Sequence, residues 1–378
     1  MKNIPERFLR KGLRTWIEVD TNRVAYNYSL FRSLITSETR LMAVVKSNAY
    51  GCGLVDFSRH LEKLGVDWFG VDSIVEAKAL RSAGIRKNIL VFGYTLPEYF
   101  EEAAQQKISI TISSLDQLKG AVRRKQQTPL NVHLKIDTGM NRQGFGDGEK
   151  KKTLSLLRKL QKIRVEGLYS HFAAAKNPAF PQHTRKQTES FERWRKFLEN
   201  AGLRPISHIA ATSATILFPE TFYDMVRIGI GLYGLWPSEE VKGYAEERMK
   251  LKPILSWKTV IGEIKRRKKG EGVGYDFSET LLRDSVLAVC PVGYWHGYPR
   301  TLSSIGYAWV RKKKIKVIGR ISMDMLIFDV TDVRGIREGD AVELLGDHVV
   351  VDELARLSET INYEIVTRLN PLMRRIYQ

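Results

Sequence analysis

The feature that most constrains this chain is an alternation. Over its first two-thirds, eight apolar strand candidates are separated by helix-like segments. The strands are read at 41–46, 68–73, 89–94, 108–113, 130–137, 165–172, 206–212 and 225–233. Segments such as 54–64, 73–83, 154–162 and 185–200 carry apolar residues at helical spacing. Parallel strands need a crossover between them, and a helix is the usual one. Eight strand–helix units predict a parallel (β/α)8 barrel of the TIM type, within the α/β class. An open doubly wound sheet is the competitor, but no G-x-G-x-x-G follows the first strand.

After Trp236 the texture changes. Short stretches at 255–265, 286–294, 308–310, 314–321, 326–330 and 341–345 alternate apolar with polar residues across short turns. They predict a mostly β C-terminal domain over 237–378, following a barrel domain over 1–236. Thr15–Val19 reads as a strand that precedes the barrel and is free to pack on the β domain. A helix at 351–358 and an irregular tail are expected to end the chain.

Composition excludes several classes. With 43% hydrophobic and 27% charged residues in 378, the chain is an ordinary globular protein. Met1 to Arg14 is basic and lacks the apolar core of a signal peptide. No apolar run approaches the ~20 residues of a membrane span. Cys52 and Cys290 make no disulfide framework and have no metal-ligand spacing, so both read as packing residues and no metal is expected. A cytoplasmic protein without a membrane partner is the expectation. The net charge of +19 invites a nucleic-acid reading. The basic runs at 150–152, 265–269 and 311–314 are dispersed and accompany no recognisable nucleic-acid module, so no such partner is expected.

In such a barrel, chemistry sits at the C-terminal ends of the strands. The first strand delivers Lys46 into a Gly-containing turn, Ser47 to Gly53. A partly desolvated lysine there is suited to form a Schiff base with an aldehyde. Alone, it reads better as a lysine whose stem packs while its amine reaches water. The fifth strand gives Lys135, Asp137 and, in the next turn, Arg142. Lys135 alone reads as an ion-pair partner of Asp137. The sixth strand gives His171, equally a buried core histidine by itself. The seventh ends at Thr212-Ser213, and the eighth holds Arg227 before Gly229 and Ile230. Those hydroxyls and backbone N–H groups make a phosphate cradle. A lysine poised for an aldehyde, together with a phosphate site, points to pyridoxal 5'-phosphate.

The chain resembles the fold-type III alanine racemases, which depend on that cofactor. The resemblance rests on AVVKSNAYGCG at 43–53, LKIDTGMNRQGF at 134–145, GLYSHFA at 167–173 and MVRIGIGLYG at 225–234. It continues in GVGY at 272–275, PVGY at 291–294, GRISMD at 319–324 and ETINYE at 359–364. It implies that Lys46 carries the cofactor and acts as one catalytic base. Tyr275, from the β domain of a partner subunit, is the opposing base, supported by His171. Tyr50 contacts the phosphate with Thr212 or Ser213, Gly229 and Ile230. Arg142 contacts the cofactor phenolic oxygen and the substrate carboxylate, and a carbamylated Lys135 holds Arg142. Arg227 faces the pyridine nitrogen. Met323 contacts the substrate carboxylate, and Tyr294 and Asp324 line the entrance.

The implied activity is racemisation of alanine for peptidoglycan by a homodimer with shared active sites. The alternatives are a racemase of shifted specificity, for serine or basic amino acids, and a non-catalytic pyridoxal-phosphate homeostasis protein. Four departures from the family pattern stand out. Trp295-His296 replaces Ala-Asp, Ala211-Thr212 replaces Asn-Ser, Asp276 replaces Gly, and Pro371-Leu372 replaces a small residue or Tyr followed by Arg.

Overall fold

The computed structural model describes residues 12–124, 126–179 and 181–378, so most of the basic stretch Met1–Arg14, expected to be no signal peptide, lies outside the described residues. The chain divides into two compact units. One comprises Val24–Ala49 and Leu54–Lys252. The other comprises the described residues up to Arg23, then Tyr50–Gly53 and Pro253–Gln378.

The first unit is the barrel. In chain order, β1 is Thr15–Val19, in the other unit, and the barrel strands are β2 (Arg40–Val44), β3 (Trp68–Val71), β4 (Asn88–Val91), β5 (Ile108–Ile112), β6 (Leu130–Lys135), β7 (Ile163–Tyr169), β8 (Ile206–His208) and β9 (Met225–Ile228). They form one eight-stranded sheet in the order β8-β7-β6-β5-β4-β3-β2-β9, with parallel pairing throughout. Backbone bonds between the end strands complete the ring. Arg227 N–H donates to Ala210 C=O at 3.0 Å, and Asp224 N–H donates to Ser207 C=O at 3.1 Å. β3 and β5 are buried along their whole length, which fits the continuous apolar sequence of β3, while in β5 Ser109 and Thr111 are buried with hydrogen-bond partners. Ser73 and Ser114 begin the next helices, accepting from Glu76 and Gln117 N–H at 3.3 and 3.2 Å. The helix Pro181–Asn200 buries Phe191, Trp194 and Leu198 along one stripe.

The division falls after Lys252, not after Trp236. The helix Glu239–Ala245 buries Val241 and Ala245. Arg248 Nη2 donates to Ile216 C=O at 3.1 Å, and Asn27 bonds both the C=O and the N–H of Lys252, at 2.8 and 3.0 Å. These bonds tie the segment to the barrel.

The second unit holds β10 (Leu255–Val260), β11 (Glu263–Arg267), β12 (Gly272–Val273), β13 (Glu279–Thr280), β14 (Ser285–Cys290), β15 (Tyr307–Val310), β16 (Lys313–Val317), β17 (Leu326–Asp329), β18 (Ala341–Leu345) and β19 (Arg374–Tyr377). Nine strands form one sheet ordered β11-β14-β17-β16-β15-β18-β10-β1-β19, and β12 pairs with β13. β1 pairs antiparallel with β10 and parallel with β19. The tail is therefore not irregular: a helix at Asn362–Thr367 leads into the edge strand β19. Its sequence, Arg374-Arg375-Ile376-Tyr377, has too short an apolar pattern to announce a strand, and pairing with β1 makes it one.

Candidate active site

Lys46 lies two residues beyond β2, and it is less desolvated than a strand-end position suggests, with a side chain 40% exposed. Its Nζ is 3.7 Å from Asp72 Oδ1. The following Ser47, Asn48, Ala49 and Tyr50 all have positive φ, between 49° and 57°. A left-handed turn of non-glycine residues costs ~1–2 kcal/mol per residue. Glu76 offsets part of this cost. Its carboxylate accepts from the N–H groups of Ser47 at 2.7 Å, Asn48 at 3.3 Å and Asp72 at 2.8 Å. Asn48 Oδ1 accepts from Leu54 N–H at 3.0 Å, and Tyr233 O–H donates to Val44 C=O at 3.0 Å.

Arg227 is 3% exposed and donates only to neutral acceptors. Nη1 donates to His208 Nδ1 at 2.8 Å and to His208 C=O at 3.0 Å. Nη2 donates to Ser170 C=O at 2.7 Å, Ile209 C=O at 3.0 Å and His171 Nδ1 at 3.3 Å. Burial lowers its pKa to about 10, so the guanidinium remains protonated at neutral pH. His171 and His208 are held neutral, each pKa pushed well below the usual histidine value by burial and then by Arg227. Lys135 and Arg142 add to this effect at His171.

Lys135 is buried, and burial, Arg227 and Arg142 push its pKa well below the lysine value. It is not the ion-pair partner of Asp137. Asp137 Oδ1 accepts from the N–H groups of Gly139, Met140 and Asn141 at 2.9, 3.0 and 3.1 Å, shaping the turn that presents the exposed Arg142. Lys135 Nζ lies 4.7 Å from the centre of the Tyr169 ring, whose plane stacks on His208.

Thr212 opens a short helix instead of ending a strand, and Ile230 opens a 3-10 turn at Ile230–Tyr233. The two starts meet: Gly229 N–H donates to Thr212 Oγ1 at 3.1 Å. Gly231 permits this approach, since a Cβ there would lie 2.3 Å from the Phe31 ring and 2.9 Å from Thr212 Cγ2. Thr212 and Ile230 are buried, and Ser213 is half-buried. Two element starts, a reachable lysine amine and a buried cation with neutral partners form a donor set that suits an anionic pyridine aldehyde.

The second unit presents the remaining sequence-predicted residues. Tyr275 is 65% exposed in a turn where Asp276 and Phe277 also have positive φ, and Asp276 pairs with Arg320. Tyr294 N–H donates to Ser322 C=O at 3.1 Å and Trp295 N–H to Met323 C=O at 3.0 Å, which brings Tyr294, Trp295, Met323 and Asp324 together. Gly293 is required there, because a Cβ would lie 2.2 Å from Ser322 O. His296 is not a titratable ring open to solvent. It is buried, its Nδ1 accepts from Gly293 N–H at 3.2 Å, and burial lowers its pKa. Asn370 Nδ2 donates to Trp295 C=O at 3.0 Å, so the two altered entrance segments, Trp295-His296 and Pro371-Leu372, are joined. Tyr50 is buried, with its ring 6.1 Å from that of Tyr363.

Sequence reading missed Glu76, Tyr169, His208 and Tyr363. Tyr363 lies inside the ETINYE motif, where its aromatic ring was the available signal. His208 occupies a strand end like the residues that were singled out. The contacts that tie Glu76 to the Lys46 turn have no local signal, because Ser47 and Asn48 lie 29 and 28 positions away. Cys52 and Cys290 are buried thiols pushed up to about 12 by burial, as packing residues should be. Among the described residues no three His, Cys, Asp or Glu side chains could hold a metal, and no helix is long and apolar enough to cross a membrane.

Two family models cover the chain: alanine racemase, N-terminal domain, over residues 19–237, and alanine racemase, C-terminal domain, over 254–377. The chain is 38% identical over 374 residues to an alanine racemase of Symbiobacterium thermophilum, covering 97% of this chain and 98% of that one. Alanine racemase 2 of Bacillus subtilis is 35% identical over 373 residues, with coverage of 96% and 94%. Among solved structures, an alanine racemase of Clostridium difficile 630 superposes with a TM-score of 0.92 at 31% identity, over 97% of this chain and 96% of that one. One from Bacillus anthracis with bound L-Ala-P gives 0.92 at 30% identity, over 97% and 95%.

Proposed function

The chain belongs to the alanine racemase family and interconverts L- and D-alanine, and we propose that it does so with a bound pyridoxal 5'-phosphate and two proton-transferring groups, Lys46 and Tyr275. Arg227 carries this reading. A buried guanidinium with no carboxylate among its hydrogen-bond partners needs a lone pair to face. A pyridine nitrogen offers one.

Lys46 would hold the cofactor aldehyde. Thr212, Ser213, Gly229, Ile230 and Tyr50 would hold its phosphate, and Arg142 its phenolic oxygen and the substrate carboxylate. Once bound, the cofactor supplies a conjugated ring that spreads the negative charge left when the α-proton of alanine departs. Lys46 takes or returns that proton on one face. The partner subunit's Tyr275 does so on the other, which makes the enzyme a homodimer with shared sites. His171 accepts from Arg227 at Nδ1, so its own proton sits on Nε2, available to the phenolic oxygen of the partner's Tyr275. Arg227 keeps its proton and would donate a hydrogen bond, not a proton, to a pyridine nitrogen facing it. Met323 and Arg142 fix the carboxylate, with Tyr294 and Asp324 at the entrance. Burial, with Arg227 and Arg142, lowers the Lys135 pKa and so favours the neutral amine that carbamylation needs, and a carbamate there would give Arg142 an anion to lean on.

A D-alanine supply for peptidoglycan, in the cytoplasm and without nucleic-acid or membrane partners, is the setting we propose. The joined, exposed Trp295 and Leu372 favour a second reading, in which serine or basic amino acids are accepted beside alanine. Borohydride reduction followed by peptide mass spectrometry is expected to find the cofactor adduct on Lys46. An adduct on Lys135 overturns the assignment. Chiral analysis of products from a panel of L-amino acids decides between the two specificities.

A further inference from the structure

We propose that Glu166 and His133 are positioning residues that hold Arg227 from deep in the barrel, through two hydrogen bonds and a closing contact to a carboxylate, a relay whose direction is fixed at both ends. The relay begins at Arg227, which only donates. Its Nη1 meets His208 Nδ1 at 2.8 Å, so that nitrogen accepts and the His208 proton is on Nε2. His208 Nε2 lies 3.0 Å from His133 Nδ1, which therefore accepts in turn. The His133 proton is then on Nε2, which makes no hydrogen bond but faces Glu166 Oε2 at 3.4 Å, an electrostatic contact between an N–H and a carboxylate. The sign agrees at both hydrogen bonds and at this contact.

The surroundings are built for this arrangement. His133 and His208 are fully buried, and burial holds both rings neutral. Glu166 is half-buried, and against the cost of burial its pKa is held below the usual carboxylate value by His133 and by Ser109 Oγ, which donates to Oε2 at 2.6 Å, while Asn131 Nδ2 donates to Oε1 at 2.9 Å. Gly167 leaves room for the His133 ring, since a Cβ there would lie 2.1 Å from His133 Nδ1. Among the described residues, Glu166 is the only anion this relay reaches, so the buried cation at one end is matched by a carboxylate at the other. If Glu166 were a donor instead, both imidazoles would reverse, and His208 would present an N–H to the Arg227 N–H. The functional consequence rests on Arg227 acting on the cofactor as proposed above. The proton positions do not.

The test is long-range 1H–15N spectroscopy of the purified full-length enzyme with labelled histidine, with peaks assigned from His133→Asn and His208→Asn. Both rings are expected to be neutral and protonated at Nε2 at pH 6. A ring protonated at Nδ1 or at both nitrogens overturns the proposal. In Arg227→Leu, Glu166 alone should keep both rings in the Nε2–H form by about tenfold or more, the scale of a hydrogen bond to a charged group. The double variant Arg227→Leu with Glu166→Leu should lose that preference. Mixed tautomers already in the single variant overturn the role of Glu166. In the holoenzyme, Glu166→Leu should lower kcat roughly tenfold at little-changed KM, and Glu166→Gln, which keeps an acceptor oxygen, should restore most of it. Unchanged kcat in a folded Glu166→Leu enzyme overturns the positioning role. Racemisation undiminished in Arg227→Leu instead breaks the cofactor reading of Arg227 and leaves the tautomer result standing.

Discussion

The residues assigned to the barrel unit and those assigned to the β unit are presented in opposite ways. Arg227, His171, His208 and Lys135 are half-buried or buried, and Arg227 alone donates to five acceptors. Tyr275, Trp295 and Met323 are 65%, 57% and 54% exposed, and their loops are held mainly by backbone bonds. The barrel unit carries its geometry within itself, with charges set by burial and by one another. The β unit leaves its side chains largely open, on loops set by backbone bonds. Substitutions in the barrel unit should therefore damage folding and chemistry together, and those in the β unit should damage chemistry or specificity alone.

The largest expected effect is at Lys46, an accessible residue of the barrel unit. Lys46→Ala should lower racemisation by at least roughly 10⁴-fold, the upper range for a proton-transfer group. A chiral alanine assay on folded protein checks this. Tyr275→Phe should slow solvent-deuterium exchange into L-alanine by ~10²–10⁴-fold with unchanged melting temperature, and exchange into D-alanine much less. Equal losses from the two enantiomers would mean that one group serves both faces. Mixing the inactive Lys46→Ala and Tyr275→Phe chains should restore activity, because one site of a mixed dimer carries neither defect. If subunits exchange and the mixture stays inactive, the shared site is wrong.

Acid should expose the cost of the buried histidines. His133, His171 and His208 have pKa values below 6.5 in the fold, so above that pH they are neutral in both folded and unfolded states and add no pH dependence. As pH falls through 6.5 only the unfolded chain takes up their protons, and stability drops until the folded values are reached. Three such groups give a limiting slope of about 4 kcal/mol per pH unit. Urea titrations between pH 7 and 5 measure it, and His133→Asn should remove about a third of the slope. Smaller still, Gly231→Ala should cost about 1–3 kcal/mol, as its Cβ drives into the Phe31 ring and Thr212. Trp295→Ala, on the exposed side of the comparison, should leave stability within about 0.5 kcal/mol and change mainly the relative KM of larger amino acids. A large stability loss there would break the contrast between the units.

How much could be read beforehand follows the same division. The strands of the barrel were legible because parallel strands buried on both faces are short apolar runs, as at Trp68–Val71. Lys46, Arg227, His171 and Tyr275 were singled out because each stands in a motif a few residues long. Spacing alone places Lys135 near Asp137, and only the fold shows that Asp137 caps its own turn. The edge strand Arg374–Tyr377 was missed because its partner lies more than three hundred residues away.

The sequence by itself determined the order of strands and helices and the assignment to a racemase family, and it nominated the reactive groups. These depend on local pattern and on side-chain chemistry, which the chain carries wherever it is placed. Only the tertiary structure decided the state of those groups. Whether Lys135 is charged, which nitrogen of His171 holds the proton, and what anion answers Arg227 all depend on burial and on neighbours far apart in the chain. Glu166 meets His133 across 33 positions, and His133 meets His208 across 75. Electrostatic and hydrogen-bond energies fall off with distance in space, and distance along the sequence does not measure it.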